Sequence, residues 1–432
     1  MIELAALAIL SFCNVQPAAD ISMRDRAFIT AKIYSAVDSY FGHLSAVPEF
    51  KLEDEFPKLL DKAFAAKGRL EFDLACLEFF GRLKNGHTNF YDPWLFTSNG
   101  ESMGFTAAFV EDKWIVKSSR VPELKVGDVI KQIDGKPFEE FYESERKYLC
   151  ASSDRDCRNR FTSSRFLFPR EFTLQKDDGM SVRIKSIPYE ARIPKKTRGQ
   201  WLETNRIGYI KVPAFDNATF ENDALNLLKE FRSAQSLIID VRQNGGGNTP
   251  SKLINSLMDR PFRMASYTTP QTIAVFRVWG GYADSVEKDS ALSKDEDYGA
   301  ATVQRSLGYG YYYSPPPVVA NQPTGFKGRL FILIDRGVFS AGEDFCIPFK
   351  DNRRATFIGE ATGGSTGQPY WVQCPNGISF RVSTKRDYFP DGSGFEGLGV
   401  KPDIEIPLTA TAIRNGTDDV LTKAVELAKN GK

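Results

Sequence analysis

The chain has 432 residues, too many for one hydrophobic core, so two or three domains are expected. Hydrophobic residues make up 42% and charged residues 26%, the balance of an ordinary globular protein. The net charge of +1 gives no electrostatic ground for nucleic acid or an anionic membrane as a partner. The sequence contains two histidines, His43 and His87, so a mechanism that needs an imidazole base must use one of them. No Cys or His spacing resembles a zinc site, and no cofactor is implied.

Residues 1–20 read as a secretory signal. An apolar stretch runs from Leu4 to Phe12, with Ala18 and Ala19 as small cleavage-site residues, although Glu3 stands where a positive charge belongs. Export to a periplasmic or extracellular space follows, and no later segment is apolar for long enough to span a bilayer. Cys13 would leave with the signal; two disulfides among Cys150, Cys157, Cys346 and Cys374, with Cys76 left over, are compatible with export, though connectivity is not readable. Residues 21–100 read as a helical domain, with Phe28, Ile29, Ile33 and Val37 at helical spacing and further patterns in FPKLLDKAFAAK and FDLACLEFFGRLK. That pattern stops at Lys84, where Asn85-Gly86 breaks it and leaves His87 on a loop.

Residues 101–190 switch to short strands. TAAFVEDKWIVKSS reads as a hairpin around Glu111-Asp112, and FTLQKDDGMSVRIKSI as another. The phrase GDVIKQIDGKP resembles the signature of PDZ domains. That resemblance implies capture of a substrate's C-terminal segment by strand addition, with Met103-Gly104-Phe105 as the carboxylate-binding loop. A small β-domain that only packs against its neighbours is the competing reading. Residues 200–432 alternate strand and helix, as an α/β core does. RIGYIKVPAF and SLIIDV read as strands, FENDALNLLKEFRSA as an amphipathic helix, and Thr249-Pro250 as the start of another. A polar, aromatic stretch from about Tyr282 to Gly325 reads as a surface insertion, and PYWVQCPNGISFRVST as a hairpin turning at Asn376-Gly377.

In GRLFILIDRGVFSAGEDF a buried strand breaks at Gly337 and a helix starts at Ser340. A hydroxyl at that corner is clear of the sheet, and the helix N-terminus favours developing negative charge. The plainer reading is a capping box, since Ser340 and Glu343 fit S-x-x-E. An acyl-transfer serine also needs a base, an orienting acid and oxyanion donors. His87 on its loop offers the base, whereas His43 within the helical region reads as structural. Gly245, Gly246 and Gly247 directly after SLIIDV can present backbone N–H groups without an intervening Cβ. NGGGN has neither the spacing nor the lysine of a P-loop, which disfavours nucleotide. Glu396, in a glycine-rich loop, is the candidate acid.

Four ordered phrases, LKNGHTNF, SLIIDVRQNGGGN, FILIDRGVFSAGEDF with IGEATGG, and EGLGVKPDI, resemble the serine peptidases that include the C-terminal processing proteases, the tricorn core and the interphotoreceptor retinoid-binding protein repeats. The resemblance implies a crotonase-superfamily-like α/β core carrying an N-terminal helical domain and an inserted PDZ-like β-domain. It implies Ser340 as nucleophile, His87 as general base, Glu396 as orienting acid, and Ala341, Gly245 and Gly246 as the oxyanion hole. Processing proteases carry a lysine base where Ser365 stands here, so the tricorn-like Ser-His-Glu arrangement is implied instead. The tricorn core also has a serine just before its histidine; Gly86 occupies that place. Metal, nucleic acid and a membrane span in the mature chain are not expected; a peptide or protein substrate is. A catalytically silent ligand- or peptide-binding protein on the same fold is the alternative, and an esterase a weaker one.

Overall fold

A computed structural model describes residues 20–98, 102–188, 194–271, 302–303, 308, 310–320 and 325–430. The proposed signal segment with Cys13, and most of the Tyr282–Gly325 stretch, lie outside the described residues. The centre of the molecule is a six-stranded sheet in the order Ile404–Glu405, Thr356–Gly359, Arg329–Ile334, Ser236–Asp240, Ile207–Lys211, Arg198–Glu203. Neighbours pair in parallel except Arg198–Glu203, which closes one edge antiparallel. Ser236–Asp240 is buried at every position, as expected of a parallel strand covered on both faces. The amphipathic helix Ala218–Glu230 and the helix Ala341–Asp351 share the larger core cluster with this sheet, and the helix Asp419–Asn430 contributes to a second cluster on it.

The helical reading of the N-terminal region holds, with helices Met23–Tyr40, Leu52–Ala65 and Arg69–Arg82. Phe28 departs from its pattern and is 50% exposed. These helices do not close a core by themselves. Their apolar faces pack on Ile378, Phe380 and Val382 of the hairpin Pro369–Gln373/Ser379–Ser383, whose turn holds Asn376 and Gly377 at positive φ. The short strand Asn89–Tyr91 joins the same hairpin antiparallel to Ser379–Ser383. His87 lies two residues upstream of that pairing, which brings it from the helical region onto the core.

Residues 105–185 form an antiparallel sheet in the order Phe105–Val110, Lys113–Ser119, Val129–Ile133, Glu171–Lys176, Ser181–Lys185, with its own aromatic-rich core around Trp114, Phe138 and Phe161. Glu111 and Asp112 both take positive φ, the backbone of a tight two-residue hairpin. The outer edge at Ala107 is covered, because the Thr162 hydroxyl bonds both its N–H (3.1 Å) and its carbonyl (3.0 Å). The ASSDRD segment between Cys150 and Cys157 is in part helical, since the helix Asp154–Phe161 starts within it behind a Ser153 cap. Five cysteines are described, and no disulfide joins any of them. Of the aromatic insertion, Tyr311–Ser314 is described; it is a strand paired with Ser266–Pro270, and its tyrosines face solvent.

Candidate active site

Ser340 follows the strand Arg329–Ile334 through a turn and occupies the first, non-helical position of Ala341–Asp351. Its backbone has φ 55° and ψ −126°, a region that a residue with a Cβ rarely adopts. Such strain costs about 1–3 kcal/mol and persists only where the surroundings over-determine it. Here they do. The Phe339 N–H bonds the Asn244 carbonyl (2.9 Å), the Ser340 N–H bonds the Ser365 carbonyl (3.0 Å), and the Ser340 carbonyl accepts from Glu343 N (2.7 Å) and Asp344 N (3.1 Å).

The capping box is absent. Ser340 makes no side-chain cap bond, and the Glu343 carboxylate turns away to accept from Thr362 Oγ1 (2.5 Å), Gly364 N (2.7 Å) and Ser365 N (2.9 Å). The N–H groups of the 362–365 loop compete better for that carboxylate than a helix start does. Burial pushes Glu343 up to about 8 against the pull of those three donors, and the nearby Glu396 raises it further. Thr249 likewise does not cap the helix Ser251–Leu257; its hydroxyl bonds Asp344 Oδ2 at 2.7 Å.

Two of the three expected oxyanion donors are available. Among the described residues, Ala341 N–H and Gly245 N–H have no hydrogen-bond partner. Gly246 differs: its N–H is committed to Asn244 Oδ1 at 2.9 Å. Its role is steric, because at φ 95° a Cβ there would stand 2.6 Å from Ser340 Cβ and 2.9 Å from Ala341 N. Asn244 is fully buried and ties the turn to the sheet through Nδ2 on the Val212 carbonyl (3.0 Å).

His87 is 4% exposed and stacks on Phe339, the residue before Ser340, with ring centroids 4.7 Å apart and planes at 9°. The Arg160 guanidinium also lies against this ring, 5.2 Å from the Phe339 centroid. A Cβ on Gly86 would meet Phe339 at 2.7 Å and Arg160 at 2.9 Å, which accounts for glycine at this position. His87 Nδ1 is 2.9 Å from Ser365 Oγ. Among the described residues Nε2 has no partner, and Ser340 Oγ has none either, so the hydrogen bond of a working Ser-His pair is not formed in this conformation. Ring and hydroxyl are neighbours through Phe339 and through Ser365. Burial, followed by the charges of Arg381, Arg160 and Lys385, holds His87 well below its usual value and keeps it neutral.

Glu396 is placed beside the histidine turn, but its hydrogen bonds stop short of the ring. Oε1 accepts from Asn85 Nδ2 (2.8 Å) and Ser152 Oγ (2.6 Å). Asn85 Oδ1 in turn accepts from His87 N (3.0 Å) and Thr88 Oγ1 (2.9 Å), while Ser152 Oγ accepts from Gly86 N (2.8 Å). The Ser365 hydroxyl also favours the charged form of Glu396, and Oε2 is buried without a hydrogen bond of good geometry. Burial dominates and pushes this carboxyl up to about 8. The ring position expected for Glu396 is therefore filled by Ser365. Sequence reasoning missed Asn85, Ser152 and Ser365 as partners, and the one available signal was that the resemblance places a lysine where Ser365 stands.

A cavity of about 380 Å³ opens beside this turn, lined by Asn89, Tyr91, Cys150 and Arg160 among others. A larger one of about 610 Å³ lies at the carboxyl ends of the parallel strands and touches none of Ser340, His87 or Glu396. Its arginines are paired, Arg242 with Asp240 and Asp418 and Arg336 with Glu360. Among the described residues no cluster could hold a metal ion, and no helix is long and apolar enough to cross a membrane.

Residues 206–406 match peptidase family S41. A carboxyl-terminal-processing protease of Synechocystis sp. is 24% identical over 268 residues, which cover 61% of this chain and 51% of that protein. A Chlamydia trachomatis protein is 22% identical over 290 residues, 55% of this chain and 47% of that protein. The chain thus spans about half the length of the curated relatives it matches. In fold, mature CPAF in complex with lactacystin matches at a TM-score of 0.67 and 15% identity, covering 94% of this chain and 99% of that one. The photosystem II D1 C-terminal processing protease matches at 0.50 and 16%, covering 90% and 94%. The mixed α/β fold is that of these two solved structures, and residues 206–406 are similar to peptidase family S41.

Proposed function

We propose that this protein is a serine peptidase that hydrolyses peptide bonds through an acyl-enzyme on Ser340. The observation that carries the proposal is the strained Ser340 backbone, with φ 55°, next to two unpartnered N–H groups and a neutral buried histidine. His87 Nε2 takes the Ser340 proton as Oγ attacks the carbonyl, and later gives it to the leaving amine. Ala341 N–H and Gly245 N–H receive the oxyanion, each such donor being worth about 10²–10³ in kcat. Glu396 acts as a positioning residue on the His87 turn. The substrate is a peptide or protein. The antiparallel 105–185 unit is read as PDZ-like, with the covered edge at Ala107 as the strand that a substrate's C-terminal segment would have to displace Thr162 to reach. The apolar leader is the ground for proposing export.

A fluorogenic unstructured polypeptide and a matched ester separate the alternatives. Wild type is expected to cleave the polypeptide with free N-termini appearing, and Ser340→Ala to lose that activity. Cleavage of the ester alone would support an esterase, and turnover of neither a silent binding protein.

A further inference from the structure

The small sheet beside His87 has one face that acyl transfer at Ser340 does not use. Asn89 lies opposite Arg381, and Arg381 opposite Trp371, across the strands Asn89–Tyr91, Ser379–Ser383 and Pro369–Gln373. Opposed residues share a face, as do residues two apart, so Asn89, Tyr91, Arg381 and Trp371 stand on one side of this sheet. Phe90, Phe380 and Val372 take the other side, toward the helical core. His87 adjoins the first face: a Cβ on Gly367 would touch both Ser383, two residues from Arg381, and His87 Cβ (3.4 Å). Asn89 and Tyr91 also line, with Arg160, the cavity of about 380 Å³ beside the histidine turn. Trp371 is 39% exposed, so the face is open on that side.

The four arginines buried in the cores each hold an acceptor: Arg69 the Asp92 carboxylate, Arg26 the Ala63 carbonyl, Arg165 the Phe168 carbonyl and Arg354 the Phe326 carbonyl. Arg381 holds none. Its Nε is buried without a partner, and among the described residues its guanidinium meets neither a carboxylate nor a carbonyl. It lies instead 5.5 Å from the Tyr91 ring centroid and 5.3 Å from that of Trp371, two rings that stack on each other at 5.3 Å and 28°. The neighbouring cation, Arg160, has its counter-ion in Asp156 (2.7 Å). A desolvated guanidinium with free donors is costly unless an anion completes it, and one laid on aromatic rings keeps its N–H fork open for a carboxylate. We propose, resting on the peptidase reading above, that Arg381 is a specificity-determining residue that takes the side-chain carboxylate of an Asp or Glu near the scissile bond of the substrate. The edge beside it suits a chain that runs through. Cys374 N–H bonds the Ile378 carbonyl (2.9 Å), so Val372 and Tyr370 bond inward, and Trp371 turns its N–H and carbonyl outward from the last strand of its sheet. An extended substrate paired there points a side chain onto the Arg381 face, two strand spacings or about 10 Å from it. That gap matches an arginine and a glutamate reaching toward each other.

The test reads which peptides are cut. The full chain is given a proteome-derived peptide library, and the cleaved sequences are identified by mass spectrometry. Wild type should enrich Asp and Glu at one position near the cut. Matched peptides with Glu or Gln at that position should differ about 10–100-fold in kcat/KM, the worth of a charge-assisted hydrogen bond. Arg381→Met should bring that ratio close to one, and Arg381→Glu should turn the enrichment to Lys and Arg at the same position. Arg381→Lys, which keeps the charge but loses the fork, should weaken the preference without reversing it, and it decides the matter if Arg381→Met does not fold. Equal cleavage of the Glu and Gln peptides by wild type, or a wild-type ratio in Arg381→Met or Arg381→Lys, would overturn the assignment. So would a preference that vanishes when the peptides are C-terminally amidated, because the carboxylate would then be the chain end. If no cleavage depends on Ser340, the peptidase reading falls by itself. Fluorescence anisotropy of labelled oligo-Glu and oligo-Gln peptides on the Ser340→Ala chain then still decides Arg381. Tighter oligo-Glu binding that Arg381→Met removes supports the carboxylate site, and equal binding of the two peptides overturns it.

Discussion

His43 and His87 are the two buried imidazoles of the chain, and they lie near each other against the same hairpin. His43 spends Nε2 on the Lys385 carbonyl and the Ser383 hydroxyl, and its Nδ1 is buried without a partner. Burial holds it down at about 3, so it is a neutral packing group with no acid behind it. His87 is as deeply buried but keeps Nε2 uncommitted, with the Ser365 hydroxyl against Nδ1 and Glu396 tied to its turn through Asn85. Burial alone therefore does not mark a base. What separates the two rings is what each nitrogen faces.

The sharpest way to break that contrast is to delete each ring. His87→Ala should lower kcat on the order of 10³-fold, as loss of a general base does, while His43→Gln should leave kcat within about threefold and cost about 1–3 kcal/mol in denaturant stability. Comparable kcat losses in both would dissolve the distinction.

Next comes Asn85→Ala, which cuts the link from Glu396 to the His87 backbone but leaves the ring contact to Ser365. A loss of about 10-fold in kcat is expected, smaller than for His87→Ala. If steady-state assays give the same loss as for His87→Ala, the backbone tie rather than the ring contact governs the base.

The smallest effect lies in the pH dependence of stability. Glu343 and Glu396 have folded values near 8 against an ordinary 4.5, so between those pH values the folded state binds more protons than the unfolded one. Stability should fall as pH rises from about 4.5 to about 8. The histidines work oppositely: depressed in the fold, they contribute stability above about 6.5 that is lost as pH falls below it. Thermal melts of the Glu343→Gln/Glu396→Gln double variant should show a flatter alkaline side than wild type; an unchanged slope would remove the carboxylates as its cause.

Much of the architecture was legible, because buried parallel strands, amphipathic helices and Asn-Gly or Glu-Asp turns are local signals. Ser340 and His87 were legible because each falls where a periodic pattern breaks. The partners around them were not. Asn85, Ser152 and Ser365 are ordinary polar residues that come together around Glu396 and His87 only after the helical region, the antiparallel sheet and the core have packed together. Glu343 shows the opposite error: its S-x-x-E spacing is real, yet the tertiary N–H groups of Gly364 and Ser365 win its carboxylate from the helix start. Gly246 was correct as a close-approach glycine and wrong as a donor, since Asn244 Oδ1 takes its N–H.

The most direct measurement is covalent labelling with a fluorophosphonate, read by mass spectrometry of the digested protein. One adduct on Ser340 is predicted for wild type, none for Ser340→Ala, and a much slower adduct for His87→Ala. No adduct on wild type, or equal labelling of Ser340→Ala, would contradict Ser340 as the nucleophile.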